Sequence, residues 1–510
     1  MLAFLLVVIP LLFAGLMAAV PSNRWRPWLL PVGSGVHLAL TIDALAANKL
    51  VQLRDSAGHV WLELDPLGKV FLGVICVMHF LCMLYAPGYL RLRPERDNRV
   101  LCSCMQISLS MMTLVILAAH LGLMWVAVEA TTLASAPGIY FNHNPRSLEA
   151  TWKYLLICSV GIALALLGSF FLAYSALYSG LESTLAFGDL VREAPLLSKP
   201  WLHAAFVLLF VGYGTKVGLA PMHTWKPDAY GEAPGIVGAL LSGGVTNCAF
   251  FAILRFYQIC HAAGDATFAR QIMVFVGLLS MATAAVFMVR QRDFKRLLAY
   301  SSVEHMGILT FGIGIGGAAI FGVLLHVINN AMSKGVLFLS AGNIHRAYSS
   351  KSINDVHGAL SVLPLSTALL LAGFLAGCGS PPFAPFISEF TIFSATLASG
   401  RYVVGGLFLL LLQIVFIGMG TTILSVVFGK SSLSASDTPY RDGVLTGGPV
   451  VLFMVFVVLF GVYLPTPIRN MLNDGATFLE GKPPATAAAA AHELPLRAGP
   501  VPPTVAAAQP

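Results

Sequence analysis

Runs of about twenty apolar residues recur along almost the whole chain, and they limit the folds that it can adopt. A helix needs about 20 predominantly apolar residues to cross the ~30 Å hydrocarbon core of a bilayer, so each run is a candidate transmembrane helix. On this rule we predict about fourteen spans. They lie near residues 2–20, 28–46, 67–90, 100–119, 121–141, 153–178, 201–220, 235–258, 270–290, 297–317, 319–344, 360–396, 402–428 and 447–464.

The scarcity of charged residues excludes a soluble globular protein. Of the 510 residues, 10% are charged and 57% are hydrophobic, whereas a soluble protein carries about 25% charged residues. The basic residues behind the net charge of +7 occupy short loops between the apolar runs. They form no stripe of the kind that binds nucleic acid. We predict an all-α polytopic membrane protein that contacts the lipid bilayer and no nucleic acid.

Lysine and arginine are distributed unevenly between alternate loops, which predicts the orientation of the chain. One set of loops holds seventeen of them, among them Lys226, and the other set holds eight. Cytoplasmic loops carry an excess of Lys and Arg, so the richer set is predicted to face the cytoplasm. With an even number of spans, both termini of this multi-pass protein then lie outside the inner (plasma) membrane.

We divide the chain into five segments by the spacing of the spans. They are three N-terminal transmembrane helices at 1–99, two five-helix repeats at 100–258 and 259–430, the last transmembrane helix at 431–479, and an Ala/Pro-rich tail at 480–510. The tail is of low complexity and has no apolar face to bury, so we expect it to be disordered.

Four charged residues interrupt the apolar runs: Glu129, Lys216, Lys334 and Glu389. A charge near the middle of a bilayer costs roughly 2.5–3.5 kcal/mol on insertion scales, so such residues are rare and usually functional. Burial lowers the pKa of a lysine and raises the pKa of a carboxyl group, and a nearby opposite charge counteracts both effects. Two acids and two bases on four spans therefore predict a line of proton-exchanging groups.

Structural roles are the alternative for these charges. A lone intramembrane charge can form an ion pair that only holds helices together, or can extend to the membrane interface. Asp43 and Glu304 lie nearer the ends of their spans and are weaker candidates for proton exchange.

Polar residues accompany Lys334 on its span. His326, Asn330 and Lys334 are spaced i, i+4 and i+8, which places them near one face of a helix. A histidine on one face with a lysine favours a role in a hydrated relay over simple packing. His305, in SSVEHMG, is a weaker candidate of the same kind.

Prolines interrupt the seventh and twelfth spans beside their charged residues. They are Pro221 after Lys216, and Pro381, Pro382 and Pro385 before Glu389. A break at membrane depth is tolerated only within protein or beside a water-filled cavity. Two broken spans that are five spans apart indicate two inverted five-helix repeats, spans 4–8 and 9–13, with an ion path near the midplane.

The sequence predicts no cofactor and no metal site. The eight cysteines include no C-x-x-C pair and mostly lie within apolar runs, so we interpret them as free buried thiols. Gly312, Gly314 and Gly317 match G-x-G-x-x-G inside an apolar span and not after a strand, which favours close helix packing. His79 and His120 stand singly on separate spans, which is weak support for haem ligation.

Three segments resemble the antiporter-like proton-translocating membrane subunits of the complex I/Mrp superfamily. They are GTKVGLAPMHTWKPDAYGEAPGIVGALLSG, QRDFKRLLAYSSVEHMG and NNAMSKGVLFLSAGN. Within the superfamily, the chain looks most similar to the component F type of hydrogenase-4 and related group 4 membrane NiFe-hydrogenase or formate hydrogenlyase complexes. MWVAVEATTLASAPG and SLEATWKYLL support that subtype.

The resemblance implies fourteen core helices in two inverted repeats, with helices 7 and 12 broken. It implies that Glu129 pairs with Lys216 of helix 7, and that Lys334 is the central lysine. It further implies that Glu389 is the terminal acid of helix 12 and that His326 is a channel histidine.

Two asparagines depart from the pattern of the superfamily. Many members place a bridging Lys or His in helix 8, where this chain has Asn247, and Asn330 replaces a histidine common in some members. An amide does not titrate, so Asn247 can at most orient water.

The leading hypothesis is a proton-translocating subunit of a redox-driven membrane complex, with no redox or catalytic centre of its own. The implied partners are other membrane subunits and peripheral hydrogenase or dehydrogenase subunits with iron–sulfur clusters. The alternatives are a subunit of a cation/proton antiporter, a proton-driven partner of a soluble enzyme such as a zinc protein of inorganic carbon uptake, and a self-contained haem or quinone enzyme.

Overall fold

A computed structural model of the chain describes residues 1–46, 51–182, 185–431, 433 and 437–482. The α-helices are α1 (Leu2–Ala19), α2 (Leu29–Ala46), α3 (Pro66–Arg91), α4 (Arg99–Leu117), α5 (Leu121–Ile139), α6 (Pro145–Tyr178), α7 (Phe187–Glu193), α8 (Lys199–Val217), α9 (Trp225–Glu232), α10 (Gly235–Leu240), α11 (Thr246–Ala262), α12 (Ala266–Met288), α13 (Phe294–Ile315), α14 (Ala318–Tyr348), α15 (Pro364–Gly377), α16 (Ala384–Ala398), α17 (Tyr402–Val427), α18 (Val444–Val462) and α19 (Thr466–Leu479). A π-helical segment, Leu241–Val245, joins α10 to α11, and single 3-10 turns lie at Arg26–Trp28, Tyr140–Asn142, Ala194–Leu196 and Ala359–Ser361.

The helical content confirms the prediction of an all-α polytopic membrane protein. Within the described residues, ten helices are long and apolar enough to cross a membrane. The other four predicted spans coincide with α5, α8, α13 and the pair α15 and α16. Three of these helices carry Glu129, Lys216 or Glu304, whose charges lower the mean hydropathy. The count of fourteen spans and the boundaries of the two repeats stay predictions.

The centre of the bundle consists of α3, the α10–α11 region and α14. The α10–α11 region and α14 are almost completely buried, and α14 packs against α3, α10, α13, α15, α16 and α18. The helices α1, α2, α6, α12, α17 and α18 expose more of their apolar side chains outward. Gly312 lies against Val323 of α14, where a methyl group would overlap the valine, so close helix packing explains this glycine.

The seventh predicted span is broken immediately after Lys216. Helix α8 ends at Val217, and Gly218 caps it with a positive φ of 77°, a conformation that glycine adopts without strain. The chain then passes through Pro221 before α9 begins at Trp225.

The twelfth predicted span is broken between Gly377 and Ala384. Pro381 and Pro382 lie in this break, as predicted. The prediction that Pro385 is part of the break is wrong, because Pro385 occupies the first turn of α16. Proline is compatible with a first turn, where the backbone N–H has no helical partner.

Besides the short helices α7 and α9, a pair of strands and the helix α19 have no counterpart in the predicted spans. The strands β1 (Val51–Arg54) and β2 (Val60–Leu64) pair antiparallel, with Val51 opposite Leu64. The amphipathic helix α19 packs against α3 and α14. The predicted segment 431–479 therefore contains α18 and α19, not a single helix. Beyond Lys482, the predicted tail lies outside the described residues.

Candidate functional site

Lys216 lies at the end of α8 and is fully buried between α5 and α6. Its Nζ donates hydrogen bonds to Thr132 Oγ1 and to the Tyr154 hydroxyl, both at 2.7 Å. The Tyr154 hydroxyl also shares a 2.7 Å hydrogen bond with Ser135. The partners of this lysine are thus neutral hydroxyl groups.

Glu129 and Lys216 approach each other through Thr132 and form no direct ion pair. Thr132 Oγ1, which accepts from Lys216, donates to Glu129 Oε2 at 3.4 Å. The other carboxylate oxygen accepts a 2.7 Å hydrogen bond from Ser159. The structure therefore brings the two residues together as the resemblance implies, with a hydroxyl group between them.

Lys226 is a buried lysine that the sequence analysis missed. The positive-inside count places it in a cytoplasmic loop, which is wrong, because Lys226 is fully buried in α9. Its Nζ donates to Ser302 Oγ at 3.1 Å, and Ser242 donates to the same oxygen at 3.0 Å. The run APMHTWKPDAYGEAP resembles a loop because of its prolines, although the chain passes through the interior there.

Lys334 is fully buried at the middle of α14. Its Nζ donates a 2.6 Å hydrogen bond to Ser301 Oγ on α13. The acidic groups close enough to act on its charge are Glu304, Glu389 and the Cys378 thiol. Like Lys216, it lacks a carboxylate within 4.0 Å in the described part of the chain.

Glu304 lies nearer the middle of its helix than its place in the predicted span indicates. It lies in the middle of α13, is 1% exposed, and its Oε2 atom has no protein partner. The lower ranking of this residue depended on an apolar run placed at 297–317, whereas the helix begins at Phe294.

His305, His326 and Glu389 converge where α13, α14 and α16 meet. His305 Nδ1 and His326 Nε2 share a 3.0 Å hydrogen bond, and His326 Nδ1 bonds to Ser388 Oγ at 2.9 Å. The Glu389 carboxylate has a ligand atom within 4.8 Å of both histidines, a distance that a metal ion could bridge. Both ring nitrogens of His326 are already hydrogen-bonded, however, so the arrangement fits proton sharing better than metal ligation.

Several buried polar atoms between these groups lack a protein partner. Among the described residues they include Asn247 Oδ1, Asn329 Oδ1, both amide atoms of Asn330, and Ser333 Oγ. Buried polar groups in proteins are almost always satisfied by protein or by ordered water. Among the described residues, Asn247 Nδ2 bonds only to the carbonyl oxygen of Gly243, within the π-helical segment that precedes α11. These atoms are the positions at which water molecules can join the charged groups.

A polar cleft of about 710 Å³ opens at the end of the bundle to which α9 leads. Its basic lining residues belong to the set of loops predicted to be cytoplasmic; they are Arg93, Arg146, Arg292, Arg296, Arg346 and Lys351. Ion pairs join α9 to this cleft: Asp228 contacts Lys153 and Arg296, and Glu232 contacts Lys351. These pairs anchor the segment that follows the first break.

His79 and His120, the two histidines weighed as haem ligands, have structural partners. His79 bonds through one ring nitrogen to Ser34 and through the other to the Met105 carbonyl, so neither nitrogen is free for an iron. His120 accepts from the Gly122 amide and caps α5. All eight cysteines are free thiols.

The family model for NADH:quinone oxidoreductase/Mrp antiporter transmembrane regions matches residues 118–418. The chain belongs to this family. The matched stretch contains all of the charged site residues from Glu129 to Glu389. The chain is therefore an antiporter-like membrane subunit of the hydrogenase-4 or NADH-quinone oxidoreductase type.

One relative from the curated proteins and two solved structures show how far the likeness extends. The "Hydrogenase-4 component F homolog" of Methylacidiphilum infernorum is 34% identical over 487 residues, which is 93% of this chain and 99% of the relative. A chain of the archaeal membrane-bound sulfane sulfur reductase, a respiratory membrane complex, superposes with a TM-score of 0.84 at 20% identity, covering 94% of this chain and 97% of that one. A chain of the Mrp complex from Dietzia sp. DQ12-45-1b gives 0.82 at 17% identity, with the same coverage. Because such folds occur in multi-subunit membrane assemblies, other membrane subunits are the partners expected of this family member.

Proposed function

We propose that the chain carries protons across the inner membrane as an antiporter-like subunit of a redox-driven complex. One observation carries this proposal: Lys216, at the broken end of α8, and Lys334, beside the broken pair α15 and α16, are fully buried. Within the described part of the chain, their ammonium groups bond only to hydroxyl groups. A buried charge that lacks a close counter-charge is costly, so a small change nearby alters its protonation.

Glu129 is the group that controls Lys216 in this mechanism. While the Thr132 hydroxyl joins the two side chains, the carboxylate stabilises the lysine in its charged form. Movement of Glu129 away from Thr132 removes that stabilisation, and Lys216 releases its proton. Redox chemistry in partner subunits would supply the free energy for the movement, because this chain is proposed to have no redox centre.

Lys334 and the histidine pair form the second half of the path. Lys334 receives a proton and passes it towards His305, His326 and Glu389. The unpartnered amide and hydroxyl atoms along α14 support water molecules at these steps. The Glu389 side chain lies beside the break that precedes α16, where polar backbone groups are freed from helical bonding.

The peripheral partners and the orientation are part of the proposal. The proposed peripheral partners are hydrogenase or dehydrogenase subunits with iron–sulfur clusters, and the name of the hydrogenase-4 component F homolog supports the hydrogenase among them. The clustering of basic residues around one cleft supports a cytoplasmic location for that end, with both termini outside.

Proton pumping by the assembled complex tests the function directly. Lys216→Ala and Glu129→Gln should abolish acidification of inverted vesicles, while the complex keeps its subunits and its redox centres. Lys199→Ala, which changes an exposed lysine paired with Asp265, is the matched control and should pump normally. Normal pumping by both relay variants would overturn the proposal.

A cation/proton antiporter without redox chemistry is the second candidate, favoured by the structural likeness to a chain of the Mrp complex. Purification of the intact complex separates the two. Co-purifying iron–sulfur and hydrogenase or dehydrogenase subunits support the first function. An assembly of membrane subunits alone supports the second, and a soluble zinc protein would instead indicate a proton-driven partner of an enzyme.

A further inference from the structure

Lys226 is a third buried lysine, and its surroundings are those of a group that changes charge. It is fully buried, and its Nζ donates to Ser302 at 3.1 Å and lies 5.8 Å from the centre of the Tyr230 ring. No carboxylate oxygen of the described residues lies within 4.0 Å of it. A structural lysine in a membrane protein pairs with an acid or extends to the interface. Lys226 does neither.

The acids of its own helix are already occupied elsewhere. Asp228 pairs with Lys153 and Arg296, and Glu232 pairs with Lys351, at or next to the polar cleft. The charges of α9 are thus divided between a surface network and one buried amine.

Two adjacent serines of α13 each accept a hydrogen bond from one of the two lysines. Ser302 accepts from Lys226, and Ser301, the preceding residue of α13, accepts from Lys334 at 2.6 Å. The charge of Lys334 acts on Lys226, so the two amines are close enough for one to disfavour the charged form of the other. A proton on one lysine therefore promotes release from its neighbour.

The break after α8 brings Lys226 back towards Lys216. The Cys158 thiol of α6 is close enough to act on both lysines. Gly218 lies against the Lys226 side chain, and a methyl group there would overlap its Cδ and Cε atoms. Because Gly218 has no side chain, the aliphatic part of the Lys226 side chain can pack against the backbone at the break.

We propose that Lys226 is the proton-carrying group between Lys216 and Lys334, in place of the side chain that Asn247 does not supply. This inference rests on the proposed function. Neutral Lys226 accepts a proton released by Lys216, so that one N–H bond breaks and another forms. The ammonium then gives a proton to the Ser302 side, and a water molecule between Ser302 and Ser301 carries a proton on to neutral Lys334. No electron moves, and Lys226 returns to the neutral amine.

The titratable groups that face Lys226 are few. Cys158 faces it from α6, Lys334 from α14, Tyr230 from its own helix, and His223 from the break before α9. On α13, Glu304 acts on Lys334, and Lys295 donates to the Ala233 carbonyl near the cleft. Protonation of Lys226 is therefore governed first by its burial and next by the charge of Lys334.

Pumping by the complete complex, expressed as protons moved per electron transferred, tests the inference. Lys226→Met should lower this ratio by at least about 100-fold, the scale of a lost proton-transfer group. Lys226→Arg should fail as well, because a guanidinium does not deprotonate. The control is Lys295→Met, which removes another buried lysine and should keep the ratio unchanged.

Rescue distinguishes proton transfer from a structural role. In the Lys226→Met background, Asn247→Lys returns an amine to helix α11 and should restore a measurable part of the pumping. If Lys226→Met does not assemble, Lys226→Gln provides the same test, since it keeps a donor for Ser302 but does not titrate. Normal pumping by Lys226→Met or Lys226→Gln, while Lys216→Ala and Lys334→Ala are inactive, would overturn this inference and leave the proposed function intact. Normal pumping by the last two variants would overturn both.

Discussion

Glu129 and Lys216 share one hydroxyl group, that of Thr132, and make no direct ion pair. The distances differ: the lysine is 2.7 Å from Thr132 Oγ1, and the carboxylate is 3.4 Å from it. The threonine therefore holds the lysine firmly and the glutamate weakly. Such a link can break on the glutamate side while Lys216 stays in place.

Removal of the Thr132 hydroxyl should uncouple the two charges. Thr132→Val keeps the shape of the side chain but loses a hydrogen bond to a charged group, worth about 1.5–3 kcal/mol. We expect proton pumping per electron to fall roughly tenfold or more, since 1.4 kcal/mol corresponds to a factor of ten. Acidification of inverted vesicles, measured beside the redox activity, checks this result.

Thr131 provides the matched control for this change. Its hydroxyl is buried in the same helix turn but donates to the Val128 carbonyl of its own helix. Thr131→Val should therefore pump at the normal ratio. Equal losses in both variants would show that the effect comes from helix stability and not from the link to Lys216.

The buried charges were predictable from the sequence, but their partners were not. Lys216 and Lys334 stand out in apolar runs because few other charges do. Thr132, Tyr154 and Ser301 are ordinary residues of apolar helices, and only the packing of α5, α6, α8, α13 and α14 brings them to the lysines.

Hydropathy also fails to separate a buried break from a surface loop. Lys226 lies among several prolines and glycines, so its segment has the composition of a loop although it crosses the interior. Helix α19 was not predicted, for a different reason. It buries only one face, with Leu472 and Leu479, and so has no apolar run long enough to resemble a span.

The hydrogen bond between His305 and His326 predicts that His326 is needed for proton transfer in the second half of the path. His326→Gln keeps hydrogen-bonding groups for Ser388 but does not titrate, so protons should no longer pass between the rings. We expect pumping to fall by about 100-fold, within the range for a lost acid–base group. His37→Gln changes another buried histidine, which bonds to Thr113 and Cys76, and should keep normal pumping. Equal activity of the two variants would remove His326 from the path.

The ion pair between Arg255 and Asp65 should stabilise the fold without taking part in transport. Both side chains are buried, and Arg255 also lies over the rings of Phe187 and Phe251. Arg255→Met leaves a buried carboxylate without its partner, a change that costs about 3–5 kcal/mol. The melting temperature of the purified complex should fall clearly. By contrast, Lys199→Met at an exposed pair should cost about 0–1 kcal/mol. Equal melting temperatures for the two variants would contradict this assignment.

The two ends of α12 offer a direct test of orientation. Lys199 contacts Asp265, which directly precedes α12. Arg292 lies in the loop after α12 and lines the basic cleft. The helix has 23 residues and is therefore about 35 Å long, enough to place the two positions on opposite sides of the bilayer. In a background whose native cysteines are replaced, a membrane-impermeant maleimide should label Arg292→Cys only in inverted vesicles, because basic loops face the cytoplasm. It should label Lys199→Cys only in intact cells from which any outer envelope has been removed. The reverse pattern would place the basic cleft outside and the termini in the cytoplasm.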